Sequence, residues 1–353
     1  MLIKKIFYRF WNLPRSTKVK YAVIVIISGV FIAKKLQKVQ KLRSQQNQKK
    51  QPQPANQLIP NESDAITVQE ICYPNIVSNV DSQNHLSQFA LPRSIELINQ
   101  LLDNSSRKRN VDENLKYYLI ETLEERDLQN YYSIKKLSIK KQLQQYCTKM
   151  IHVRGDGNCF YTSFGYQFMK IVIYQYSDEE FDQFLQENFR IPFKIQLNDI
   201  SFGNEEQQRK LLNQFRDRII YLRNLEKYYK QHEHYSNQLV RQFKAHEIQD
   251  DLDGYFQPLA TLFLRNLSMH LVEQSEDGQN VFDKENLLKW EEECNSNEQV
   301  IAMLAKHLRL HIQLLFFAGE EFQVLEYSKE YENQNRSIIL LIKPGHYNIG
   351  IKN

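Results

Sequence analysis

The densest group of chemistry-bearing residues is Arg154-Gly155-Asp156-Gly157-Asn158-Cys159-Phe160-Tyr161, where two of only ten glycines fall within three residues just before a cysteine. Beyond the cysteine, Phe160, Phe164, Phe168 and Ile171 recur at helical spacing, which predicts a helix starting at or beside Cys159. The first N–H groups of a helix lack intrahelical partners and form the positive end of its dipole. A thiol placed there is expected to ionise more readily and to act as a nucleophile. In a loop that glycine lets turn tightly, the same N–H groups can bind an oxyanion.

A thiolate nucleophile needs a base. His346 directly follows a Pro344-Gly345 turn and opens a short strand pattern, with Asn348 two residues on. Strand period 2 points both side chains to one side, so His346 can face Cys159 while Asn348 orients the imidazole. This is the Cys–His–Asn logic of acyl transfer. Spacing alone only suggests the pairing, since 187 residues separate the two. Asn348 also reads as a turn or edge residue, and Asp156 as a carboxylate closing an Asx turn. His232 and His234 read as solvated residues on a polar helix rather than metal ligands. His307 is expected to end a helix and His311 to sit on an exposed strand face. Cys72, Cys147 and Cys294 show no zinc-type spacing and read as reduced spectator thiols. No metal and no organic cofactor is implied.

The elements that would position these residues are legible from about residue 95. Apolar residues at helical spacing predict helices over 94–102, 115–123, 131–147, 204–229, 258–272 and 298–307. From Leu308 the pattern switches to period 2, predicting a half-buried strand over 308–316, further strands over 322–327 and 337–343, and a last one over 346–352. Helices first and sheet last imply an α+β fold, an α/β sandwich with a helical N-terminal part and a small, mostly antiparallel C-terminal sheet.

The chain of 353 residues has 46 basic and 42 acidic residues, but its charge is split. Residues 1–50 hold 13 Lys or Arg and no acid, leaving 33 basic and 42 acidic residues beyond, a net of −9. A mildly acidic bulk does not suggest nucleic-acid binding. Its 42% apolar composition supports a real core. Within the basic arm, Tyr21 to Ala33 is uncharged; extended to residues 19–36 with lysines snorkelling, the run reaches about 27 Å as a helix. It reads best as a membrane anchor; an organellar presequence, a signal-peptide core and a buried helix are the other readings. Residues 1–43 are thus a basic arm, 44–93 a polar linker bearing Pro52, Pro54 and Pro60, and 94–353 the folded domain.

Asp156-Gly157-Asn158-Cys159-Phe160-Tyr161 resembles the signature of ovarian-tumour (OTU) cysteine proteases, and Lys343-Pro344-Gly345-His346-Tyr347-Asn348 resembles the tail of their otubain branch. Phe263-Leu264-Arg265-Asn266-Leu267, Asn130–Tyr146 and Glu298–Phe316 resemble otubain elements in the same order, so the resemblance covers roughly 130–353. It implies a papain-like OTU fold and deubiquitination, hydrolysis of the isopeptide bond at the ubiquitin C-terminus. By position it implies Cys159 as nucleophile, His346 as base and then acid, Asn348 as orienting residue and Asp156 as part of the catalytic loop. The N–H groups of Gly157 and Cys159 are the expected oxyanion donors. Otubains usually carry Asp at the Asn348 position, and an Asn stabilises the imidazolium less. The Arg often found after the family's Tyr is Thr162 here. The acidic domain suits a basic ubiquitin face. Ubiquitin being cytosolic and nuclear, the domain is expected on the cytosolic side of a membrane. The alternatives are a weak or inactive ubiquitin-binding module tethered to a membrane, or a thiol hydrolase for a ubiquitin-like modifier.

Overall fold

The computed structural model describes residues 95–105, 117–231, 237–245, 252, 254–293, 297–334 and 336–352. The basic arm, the 19–36 run, the linker, Cys72, Cys294, His232 and His234 lie outside the described residues. Among the described residues no helix is long and apolar enough to cross a membrane.

The chain runs α1 (Ile95–Asn104), β1 (Leu119–Leu123), α2 (Glu125–Tyr131), α3 (Leu137–Tyr146), β2 (Lys149–Val153) and α4 (Cys159–Tyr174). It continues through α5 (Asp178–Asn188), a small β3–β4 hairpin (Gln196–Leu197, Ile200–Ser201), α6 (Glu205–Gln231), α7 (Gln238–Lys244) and α8 (Phe256–Gln274). It closes with α9 (Asn297–Leu308), β5 (His311–Ala318), β6 (Glu321–Tyr327), β7 (Ser337–Lys343) and β8 (His346–Ile351). The main sheet has the order β1-β2-β8-β7-β5-β6. Its adjacent pairs are antiparallel except β5 and β7, which are parallel. The fold is α+β, as expected.

Both faces of this sheet are covered. Ile312, Leu314, Leu340 and Ile349 pack with α4 and α8 on one side. Leu315, Phe317, Ile339 and Leu341 pack with Leu128, Tyr132 and Leu143 of the α2–α3 region on the other. α4 is apolar nearly all round, as a helix at the centre of a core must be. Gln167 docks it on β7, donating to the Ile339 carbonyl at 3.0 Å and accepting from the Ile339 N–H at 3.0 Å.

Several sequence expectations need correction. The described part of the helix expected over 115–123 is not helical: 119–123 form β1, so two strands precede the Gly155–Asn158 loop and the sheet is not confined to the C-terminal part. The helix expected over 131–147 begins only at Leu137: α2 ends at Tyr131, Ser133 takes a left-handed φ of 57°, and the Ile134 N–H closes back on the Gln129 carbonyl at 2.8 Å. The expected strand start at 308 is instead helix; Arg309 turns left-handed at φ 55° and the Leu310 N–H bonds the Ala305 carbonyl, so β5 starts at His311. His311 is buried, not exposed, bonded to Ser337 Oγ and Glu326 Oε1 at 3.2 Å each. The α2–α3 layer explains why β5 buries both faces, with Leu315 inside and exposure confined to Phe316 and Ala318 near the strand end. His307 does end a helix.

Arg223 of α6 secures the far end of α4. Buried to 4% exposure, it donates to the carbonyls of Val172, Ile173 and Tyr176 at 3.0, 3.2 and 2.7 Å. A cation on these last carbonyls complements the helix dipole. Arg223→Met keeps the packing bulk but orphans the carbonyls; the expected loss is about 2–3 kcal/mol of unfolding free energy, read from urea denaturation.

Candidate active site

Cys159 is the first residue of α4, where the sequence placed it. Asn158 precedes it as N-cap yet caps nothing with its side chain. Its Oδ1 instead accepts from Arg265 Nε at 3.1 Å, Arg265 Nη2 at 2.8 Å and the Glu291 N–H at 3.2 Å. The first-turn N–H groups of α4 therefore receive no side-chain cap and remain available to an anion.

The loop before Cys159 is held from within and from outside. Asp156 Oδ1 accepts the Asn158 N–H at 2.9 Å, closing an Asx turn, and its other oxygen lies 3.7 Å from Arg154 Nε. Gly157 has φ +78°, and a Cβ there would stand 2.0 Å from the Glu291 carbonyl oxygen, so only glycine fits. Arg265, with no exposed surface, lies over the Tyr161 ring at 4.3 Å and donates to the carbonyls of Asn286, Leu287, Gly157 and Glu292 at 3.1, 3.2, 3.2 and 3.0 Å. It ties the Gly157–Asn158 turn to the 286–292 segment.

His346 and Asn348 share one side of β8, as strand period requires. His346 Nε2 lies 3.1 Å from Asn348 Oδ1. Asn348 is fully buried; its Oδ1 also accepts the Val153 N–H at 2.9 Å, and its Nδ2 donates to Tyr132 Oη at 3.1 Å and toward Tyr131 Oη at 3.5 Å. The sulfur of Cys159 lies close to the same strand through its backbone, where the Tyr347 N–H, like that of Phe160, favours the thiolate. Ser163 Oγ adds a bond to the Tyr347 carbonyl at 3.1 Å. The structure thus brings Cys159 against the residue between His346 and Asn348. It does not hydrogen-bond the thiol to the imidazole, whose Nε2 lies against Asn348 Oδ1.

The electrostatics correct one expectation. Burial pushes the Cys159 thiol up to about 12, outweighing the Tyr347 and Phe160 N–H groups, with Asp156 and Glu293 adding to the rise. Helix-start stabilisation does not overcome desolvation while the sulfur is covered. Burial also lowers His346, and His152, edge-on at 5.9 Å between ring centroids, lowers it further, while Asn348 opposes the fall. In this arrangement thiol and imidazole are both neutral at pH 7. Burial raises Asp156 to about 6 against the pull of Arg154 and the Asn158 N–H.

Sequence reasoning missed Arg265, His152, the Tyr131-Tyr132 pair and the 286–293 segment as parts of the site. Arg265 left a signal, a cation inside the apolar run of α8; the tyrosines and His152 left none. A cavity of about 380 Å³ beside the loop is lined by Gly155, Asp156, Trp290, Glu291 and Glu292. A larger one of about 660 Å³ at the other end of α4, lined by Tyr174, Arg223 and Lys227, holds none of the predicted site residues.

A cysteine at a helix start, set against a strand that carries a histidine and an asparagine, is the layout of a papain-like thiol hydrolase. Residues 103–352 match the peptidase C65 otubain family, and the chain belongs to it: it is an otubain-like cysteine-type deubiquitinase. Similar solved structures include a ceOTUB1 ubiquitin aldehyde UBC13~Ub complex, at 13% identity and TM-score 0.48 over 74% of this chain and 99% of that one. Another is h/ceOTUB1 with ubiquitin aldehyde and UBCH5B~Ub, at 14% identity and TM-score 0.47 over 74% and 96%. No curated protein matches.

The Asp156 carboxyl gives a pH test. Its proton is held more tightly in the fold than in the unfolded chain, so its contribution to stability is fully present below about 3.8 and lost as pH rises through about 6. Asp156→Asn, which keeps the acceptor for Asn158, should therefore gain stability relative to wild type between pH 4 and pH 7. Urea midpoints that move in parallel across this range would refute the shift.

Proposed function

We propose that Cys159, His346 and Asn348 form the hydrolytic site, acting on the isopeptide bond at the ubiquitin C-terminus. The observation that carries this reading is the Cys159 sulfur lying against the backbone of Tyr347, between the base and its orienting residue. His346 takes the thiol proton on Nδ1 once ring and sulfur are brought within reach, its Nε2 staying on the Asn348 oxygen. The thiolate attacks the ubiquitin glycine carbonyl, and the uncapped N–H groups at Gly157 and Cys159 receive the oxyanion. His346 returns the proton to the leaving lysine amine, giving an acyl-enzyme. Water deprotonated by His346 then releases ubiquitin and restores the thiol. Asp156 shapes the loop through its Asx turn. Glu291 and Glu292 at the neighbouring cavity, and Glu293 in the field of Cys159, favour a basic substrate tail.

Both neutral groups must ionise together, so turnover depends on the substrate displacing what covers the sulfur. The full chain incubated with a panel of di-ubiquitins should release mono-ubiquitin, and Cys159→Ala should release none. Cleavage by both forms, or binding without cleavage by either, would defeat the reading, the second outcome favouring a ubiquitin-binding module. Preferential cleavage of a ubiquitin-like fusion would favour the other modifier.

The uncharged run at 21–33, extended to 19–36 with lysines snorkelling, supports a membrane tether, and action on ubiquitin favours a domain on the cytosolic side. The full chain is expected to resist alkaline extraction from membranes and to become extractable when residues 19–36 are deleted. Extraction of the full chain by alkali would overturn the tether.

A further inference from the structure

The side chain of Asn348 uses its whole hydrogen-bonding capacity without touching solvent. A backbone N–H can only donate, so the contact from Val153 at 2.9 Å identifies which end of the amide is oxygen. That oxygen also faces His346 Nε2 at 3.1 Å and can only accept, so Nε2 carries the proton when the ring is neutral. The lone pair is left on Nδ1, which lies on the Gly155 side, 3.6 Å from where a Cβ at Gly155 would stand.

The other end of the amide is held by tyrosine. Tyr132 is 1% exposed, its ring stacks on Phe317 at 3.7 Å between centroids, and its hydroxyl accepts from Asn348 Nδ2 at 3.1 Å. Tyr131 offers only a 3.5 Å contact to the same nitrogen, and its ring carries the Lys343 ammonium at 4.0 Å. Among the described residues, the Tyr132 side chain meets Asn348 through its hydroxyl and Tyr131, Phe317 and Lys343 through its ring. A carboxylate in place of Asn348 would have no N–H to give, so both hydroxyls would have to turn round as donors.

Resting on the site proposed above, we propose that Tyr132 is a positioning residue: its hydroxyl, with the Val153 N–H, locks the Asn348 amide so that its oxygen holds His346 in the Nε2–H tautomer. Tyr132→Phe keeps the stack on Phe317 and removes only the lock. Imidazole 1H–15N correlation spectra of the full chain read the tautomer directly. Wild type should show His346 protonated on Nε2, and Tyr132→Phe a mixture of tautomers. With di-ubiquitin, kcat should fall about five- to tenfold in Tyr132→Phe at unchanged KM. Tyr132→Phe should add no further loss on an Asn348→Ala background, because the lock then has nothing to hold. An Nδ1–H wild type, an unchanged tautomer in Tyr132→Phe, or an equal kcat loss on both backgrounds would each overturn the proposal. The wild-type spectrum keeps the proposal testable if Tyr132→Phe fails to fold. The spectra also separate it from the hydrolase reading: a chain without ubiquitin cleavage still reports its tautomer.

Discussion

The buried guanidinium of Arg265 is the interaction on which the catalytic end of this domain depends. An arginine stays protonated in proteins, so a site that removes it from water must surround it with oxygen. Here the oxygen comes from the Gly157 carbonyl, the Asn158 amide and three carbonyls of the 286–292 segment. The loop and that segment, far apart in sequence, are thus held together by one charge. The same bonds draw the Asn158 side chain away from the helix start it would ordinarily cap. Stabilising the charge therefore leaves the N–H groups beside Cys159 without a side-chain partner.

A second constraint is the cover over the sulfur. The protein keeps the Cys159 thiol and the His346 imidazole unbonded to each other, each neutral because each is desolvated. A thiol in that state is a poor target for stray electrophiles and oxidants. The arrangement trades resting reactivity for protection, and leaves the work of ionisation to whatever reaches the cleft.

How much of this was legible beforehand follows from the range of each signal. The α4 start, the β8 pairing of His346 with Asn348 and the final hairpin are local patterns of period 3.6 and 2, and they survive in the fold. The failures share a cause. Leu119–Leu123 became a strand because β2 offered it an edge, and β5 buried both faces because α2 and α3 pack behind it. Such outcomes are set by tertiary neighbours, to which a window of residues is blind. The same holds for the site: the cysteine and histidine announce themselves by motif, whereas a tyrosine that orients an asparagine that orients a histidine looks like any core tyrosine. The lowered thiol pKa expected at a helix start was sound electrostatics applied to a sulfur whose burial the sequence did not reveal.

The order of strands carries a consequence for biosynthesis. β8 follows every other strand of the main sheet in chain order yet lies inside it, between β2 and β7. Until it slots in, β2 and β7 each present an unfilled edge, and the imidazole is absent from the neighbourhood of the sulfur. A chain halted before β8 therefore lacks the strand that carries both His346 and Asn348. Threading an inner strand into a waiting gap is a non-local step, and such pairings are slow to form.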